Sequence, residues 1–293
     1  MRLTLVLMCA ALLSGASACN KDEPGVGGGP GRLAFVTDRN GQLDIYTVDA
    51  SGRNLKQVTT HLGADHWPTW SPDTLRIAFQ SDRGTAVYQI YISNSDGSGV
   101  VQRTTDTTEN IHPAWSPSGT SIAFASTRDG NHEIYVMDTS GLNPRRLTAS
   151  AGADAQPAWS PDGLRLAFVT ERDGNSEIYV MNAADGLGLT NLTNDTLTDW
   201  GPAWSPDGTK IAFFSNRTGG FAIWVMNADG SNPVRLTDGV TPAELPSWSP
   251  DGTRIAYDTQ GDIWVMNADG SQKVRVVGGF SDDVVPRWRP ILP

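Results

Sequence analysis

The tripeptide Trp-Ser-Pro recurs at Trp70, Trp115, Trp159, Trp204 and Trp248, and a worn sixth copy, Trp-Arg-Pro, begins at Trp288. The spacings are 45, 44, 45, 44 and 40 residues. A constant period of this length is the mark of one supersecondary unit repeated, each copy too small to bury its own apolar surface and completed by its neighbours. The turns such a chain needs are supplied by 31 Gly and 18 Pro.

Each of the first five Trp is followed by Ser-Pro-Asp-Gly or a close variant, then by an alternating strand: Ile77-Ala-Phe79, Ile122-Ala-Phe124, Leu166-Ala-Phe168, Ile211-Ala-Phe213 and Ile255-Ala-Tyr257. Leu33-Ala-Phe35 opens the series without a preceding Trp. A third strand comes next, as in Ile134-Tyr-Val-Met137 or Ile223-Trp-Val-Met226, and ends in a turn such as Asn227-Ala-Asp-Gly230. A more polar strand closes the unit, for example Val234-Arg-Leu-Thr237. With the short strand ending in Pro-x-Trp this makes four strands in about 44 residues, the spacing of a propeller blade.

The pattern begins at a second strand, near Leu33, and ends on an orphan first strand, Val284 to Trp288. The two fragments complete one blade between them. The expected fold is therefore all-β, a six-bladed β-propeller with four antiparallel strands per blade, the first blade closed by the C-terminal strand.

The N-terminus reads differently. Arg2, the apolar run Leu3 to Leu13 and the small residues Ser14 to Ala18 have the anatomy of a signal peptide. The run is too short for a permanent membrane helix. Ala16-Ser17-Ala18-Cys19 resembles the lipobox of bacterial lipoproteins, and Ala16-x-Ala18 also suits ordinary signal peptidase. Of the two Cys, Cys9 leaves with the leader, so Cys19 would be the one thiol of the mature chain. Acylation removes the liability of a lone thiol in an oxidising compartment. The expected organisation is a signal peptide at 1–18, a lipidated Cys19 and flexible tether at 19–31, and the propeller at 32–293. The chain would be exported across the inner membrane and held in the periplasm or at the cell surface by its lipid.

The repeated Ser-Pro-Asp-Gly, Ile-Ala-Phe and Ile-Tyr-Val-Met-Asn-Ala-Asp-Gly segments resemble the TolB-type β-propeller family. The likeness covers about residues 32–290 and the propeller part only. The α/β domain that precedes the propeller in TolB has no counterpart in this sequence. The resemblance implies a propeller that binds protein partners, notably a peptidoglycan-associated lipoprotein, at one mouth of its channel. The same repeats are similar to propellers that stand in front of prolyl oligopeptidase-type peptidase domains.

Strand direction sorts the loops. If the first strand of each blade runs from face X to face Y, the Ser-Pro-Asp-Gly and Asn-Ala-Asp-Gly turns lie on Y. The hairpins after Ile-Ala-Phe and the inter-blade connections lie on X. Face X is the varied one, as in His61 to Asp65, Thr107 to Asn110, Asp195 to Asp199 and Gly278 to Asp283, and variable loops on a regular scaffold carry binding function. Three residues before each blade's Pro stand Asp65, Asn110, Asp154, Asp199, Ala243 and Asp283. One reading makes the polar members a ring at the channel mouth, attracting a divalent cation or a basic peptide. The other pairs them within their blades to Arg83, Arg128, Arg172, Arg217 and Arg39 of the adjoining hairpins. The blade of Trp248 lacks both partners, having Ala243 and the short hairpin Asp258 to Asp262, which predicts an opening over that blade on face X.

His66 and His112 start neighbouring first strands, so a shared metal is conceivable. His66 lies two residues before its Pro and His112 one, so simple strand alternation points them to opposite faces. No Gly-x-Ser-x-Gly elbow occurs after the leader, and Gly27 to Gly29 lacks the strand–helix context of a phosphate loop. The net charge of −10 argues against a nucleic-acid partner. The sequence thus predicts a non-catalytic, monomeric envelope scaffold with no cofactor, or at most a divalent cation in the channel. It would bind a protein, a peptide or a glycan at the channel mouth through Asp65, Asn110, Asp154, Asp199, Asp283, His66 and His112. The alternative is a carbohydrate-active lyase or hydrolase with a carboxylate or metal site in the channel.

Overall fold

The computed structural model describes residues 31–279 and 281–291. The leader, Cys19 and nearly all of the tether lie outside the described residues. Six four-stranded antiparallel sheets form a propeller. Blade 1 pairs the C-terminal strand Asp283–Trp288 with Arg32–Thr37, so the two ends of the repeat close one sheet. Blades 2 to 6 begin with the inner strands Asp65–Trp70, Asn110–Trp115, Asp154–Trp159, Asp199–Trp204 and Ala243–Trp248.

The core lies between blades. One cluster joins Ala34, Ile45 and Val58 of blade 1 to Trp70, Ile77, Phe79 and Tyr91 of blade 2. The corresponding cluster at the seam packs Leu33, Phe35 and Trp288 of blade 1 on Ala256, Ile263 and Val265 of blade 6. Both faces of every sheet are thereby covered, as a repeat that cannot bury itself requires.

The tryptophans that end the inner strands alternate in their bonding. Trp70, Trp159 and Trp248 donate Nε1–H to the carbonyls of Arg287, Ala114 and Ala203 in the preceding blades, at 3.2, 3.1 and 3.1 Å. Trp115, Trp204 and Trp288 leave Nε1 without a partner among the described residues. Their rings instead carry the guanidinium groups of Arg76, Arg165 and Arg254, at 4.9, 4.6 and 4.9 Å. The six-bladed ring is in this respect three repeats of two blades.

Every inner strand is broken by a bulge. The register slips just before the proline, as between His66 and Thr69, and the residue preceding it takes positive φ: Trp67, His112, Gln156, Gly201, Leu245 and Val285. Proline disfavours helical φ/ψ in its predecessor and donates no ladder bond, so it belongs on this channel-facing edge. The bulge frees N–H groups, which neighbouring blades satisfy. Gln80 Oε1 accepts from His112 N at 2.8 Å, Gln156 Oε1 from Gly201 N at 2.8 Å, and Asp258 Oδ1 from Val285 N at 3.3 Å.

Candidate functional site

On face X the acidic positions and the hairpin arginines meet inside each blade. Arg83 binds Asp65 at 2.5 Å, Arg172 binds Asp154 at 3.0 Å, Arg217 binds Asp199 at 2.7 Å, and Arg39 binds Asp283 at 2.8 Å. In blade 3 the amide of Asn110 takes the place of the acid, and Arg128 reaches both its Oδ1 at 3.1 Å and Asp106 at 2.9 Å. Each Nε also donates to a hydroxyl ending the second strand, as Arg83 does to Ser81 at 3.0 Å. Each guanidinium lies over an aromatic pair, as Arg83 does over Phe79 and Tyr91 at 5.0 and 5.2 Å. The carboxylates and Asn110 are 0% exposed, so their side chains hold hairpins and present no surface to a ligand. Burial pushes the Asp154 and Asp199 carboxyls upward, and their arginines oppose the shift.

The larger cavity opens on the other face. About 640 Å³ lies among the tryptophans that end the inner strands and the prolines of the Ser-Pro-Asp-Gly turns. Its floor is formed by the bulge residues Trp67, His112, Gln156 and Gly201. The residue before each tryptophan faces this space, and it is Thr69, Ala114, Ala158, Ala203 and Ser247 in five blades but Arg287 in the sixth. Arg287 is the one charged side chain among the lining residues. Its Cζ lies 5.4 Å from the centre of the Trp67 ring and Nη1 donates to the Pro286 carbonyl at 2.9 Å, while among the described residues it has no ion pair. Burial lowers its pKa to about 10, offset in part by Asp258.

The two histidines do not separate as strand alternation predicts. The bulge shifts the register, and His66 and His112 flank Trp67 with ring centres 6.0 and 4.3 Å away. Burial, then the charge of Arg287, lowers the His66 pKa to about 4. Burial, then His132, His66 and Arg287, lowers that of His112 to about 3. Both are neutral imidazoles at pH 7, and His112 Nδ1 is buried without a partner. Among the described residues no group of three His, Cys, Asp or Glu is placed to hold a metal ion. One carboxyl pair stands apart from the ion-paired set: Glu244 and Asp258 are cross-strand neighbours in blade 6. Burial first, then the charge of Glu244, pushes Asp258 to about 7 against the pull of the Val285 N–H and Arg287.

Above blade 6 on face X the short hairpin leaves a second cavity of about 560 Å³, lined by Ala243, Tyr257, Thr259, Trp264 and Asp238 among others.

A family model described as the TolB beta propeller domain matches residues 24–112, 104–187 and 155–261. The chain belongs to the TolB β-propeller family. TolB from Acinetobacter baumannii superposes with a TM-score of 0.80 at 26% identity, over 89% of this chain and 67% of that one. A TolB-assigned protein from Agrobacterium tumefaciens gives 0.72 at 23% identity, over 89% of this chain and 99% of that one. The tricorn protease gives 0.67 at 16% identity, over 85% of this chain and 27% of that one, a likeness of fold alone. No curated protein matches the sequence.

Among TolB-type blades that repeat with little drift, the departures locate the two cavities. The signal for Arg287 was one large charged residue at a position that is otherwise small, read off the residue before each tryptophan. The signal for blade 6 was the joint loss of acid and arginine.

Proposed function

We propose that this TolB-family propeller is a non-catalytic scaffold of the cell envelope that binds a protein or peptide in the channel cavity on the Ser-Pro-Asp-Gly face. The observation that carries this reading is the cavity itself. Its walls are tryptophan and proline, its volume is that of a ligand pocket, and one guanidinium without an ion pair among the described residues stands inside it. Tryptophan and arginine are the side chains that anchor protein interfaces. A partly desolvated cation that Asp258 stabilises only from a distance, with no ion pair among the described residues, favours an acidic group on the incoming chain. The leader at 1–18 and the lipobox-like segment ending in Cys19 support export and a lipid anchor, which would hold the propeller near the membrane.

The direct test is capture from envelope extracts with the mature chain and with Arg287→Ser, which installs the kind of small residue found in the other blades. Capture by the wild type and loss with the variant supports the reading. Equal capture by both refutes the cavity as the site.

A second reading rests on the Glu244–Asp258 pair, since one raised carboxyl beside another is the acid–base arrangement of glycan-cleaving enzymes. Release of reducing ends from envelope glycans by the wild type, abolished in Asp258→Asn, would establish it.

A further inference from the structure

Five of the six blades hold an arginine in the same slot, and the sixth keeps the slot without the arginine. In blade 2 the guanidinium of Arg83 is fixed by Asp65, by Ser81 and by the rings of Phe79 and Tyr91. The counterparts in blade 6, by strand register, are Ala243, Thr259, Tyr257 and Trp264. All four line the 560 Å³ cavity. The hairpin joining Thr259 to Asp262 is too short to carry an arginine into it.

The remaining groups are suited to a guanidinium from elsewhere. Trp264 and Tyr257 offer ring faces, and a desolvated cation over such faces is held by their quadrupoles. Thr259 Oγ1 donates to the Pro242 carbonyl at 2.7 Å, so its lone pairs are free to accept, as those of Ser81 do from Arg83. The position of Tyr257 is Phe in the other five blades. Tyr257 is 3% exposed and lines the cavity, and among the described residues its hydroxyl has no hydrogen-bond partner, so its oxygen is available to a donor placed in the cavity. Burial, then the nearby Asp238 carboxylate, pushes its pKa to about 12. Asp238 supplies the negative charge that Ala243 lacks. The two cations of the rim point to other acceptors, Arg235 to Thr218 at 3.1 Å and Lys273 to the Gly270 carbonyl at 2.6 Å.

We propose that the blade 6 cavity is a second binding site, separate from the channel, that receives the arginine side chain of another molecule in the place where the other blades insert their own. The guanidinium would lie between Trp264 and Tyr257, donate to Thr259 and to the Tyr257 hydroxyl, and face Asp238.

The test is a calorimetric titration of the mature chain with N-acetyl-arginine amide, beside N-acetyl-citrulline amide, which has the same shape and no charge. The arginine amide should bind saturably and the citrulline amide about tenfold more weakly or less. Trp264→Leu should weaken arginine binding about tenfold. Tyr257→Phe, which restores the residue of the other blades, should weaken it several-fold with no loss of Tm. Equal binding of the two amides, no effect of both substitutions, or no saturable binding below about 10 mM would overturn the proposal.

Discussion

Arg39 and Asp283 lie 244 positions apart in the chain and meet at 2.8 Å, joining the first hairpin to the strand that closes the ring. The same contact in the other blades spans 18 positions, as between Asp65 and Arg83. One geometry thus serves two purposes. In blades 2, 4 and 5 it stiffens a local hairpin, and in blade 1 it fastens the ends of the propeller together.

Arg39→Ala should therefore loosen the ring closure, whereas its counterpart Arg172→Ala loosens only a hairpin. Asp283 is 0% exposed and Arg39 22%, so the substitution strands a buried carboxylate at a cost of about 3 kcal/mol, the low end for such pairs. Hydrogen exchange should rise along Asp283–Trp288. Arg172→Ala should speed exchange only in its own hairpin. Equal effects of the two variants on the closing strand would contradict the latch.

Much of this was legible beforehand. The period of the tryptophans sets the number of blades, and the joint absence of acid and arginine from blade 6 points to pairing elsewhere. The bulges were not legible. Trp67, His112, Gln156, Leu245 and Val285 share no chemistry that favours positive φ, and what unites them with Gly201 is the proline that follows. Strand alternation without that slip sets His66 and His112 apart, whereas in the fold both rings lie near Trp67, at 6.0 and 4.3 Å. Loop variety is greatest on face X, yet the larger cavity lies on face Y among uniform turns, where repetition leaves no sequence signal.

Asp258 should set part of the pH dependence of stability. Its carboxyl titrates at about 7 in the fold, well above the ordinary aspartate range near 4, so its ionisation destabilises the fold progressively as pH rises from about 4 to 7. His66 and His112 act in the opposite sense, with stability present above about 6.5 and lost as pH falls toward 4 and 3. Asp258→Asn isolates the first contribution and retains an oxygen for the Val285 N–H. Its stability relative to wild type should rise by about 2 kcal/mol between pH 5 and pH 8. A flat difference would place the Asp258 pKa near its ordinary value.

Lipidation is checked by metabolic labelling with radioactive palmitate. The wild-type chain should incorporate label and fractionate with membranes. Cys19→Ser should lose both properties while the propeller still folds. An unlabelled, freely soluble wild-type chain would favour simple secretion.

The central claim is that partners enter the channel from the Ser-Pro-Asp-Gly face, and site-specific photocrosslinking in cells tests it most directly. A benzophenone side chain at Ile291, an exposed residue at the rim of the channel cavity, should give a discrete adduct with an envelope protein or peptide. The same probe at Leu62, exposed on face X, should give none. An adduct at Leu62 with none at Ile291 would contradict the account and return the binding site to face X.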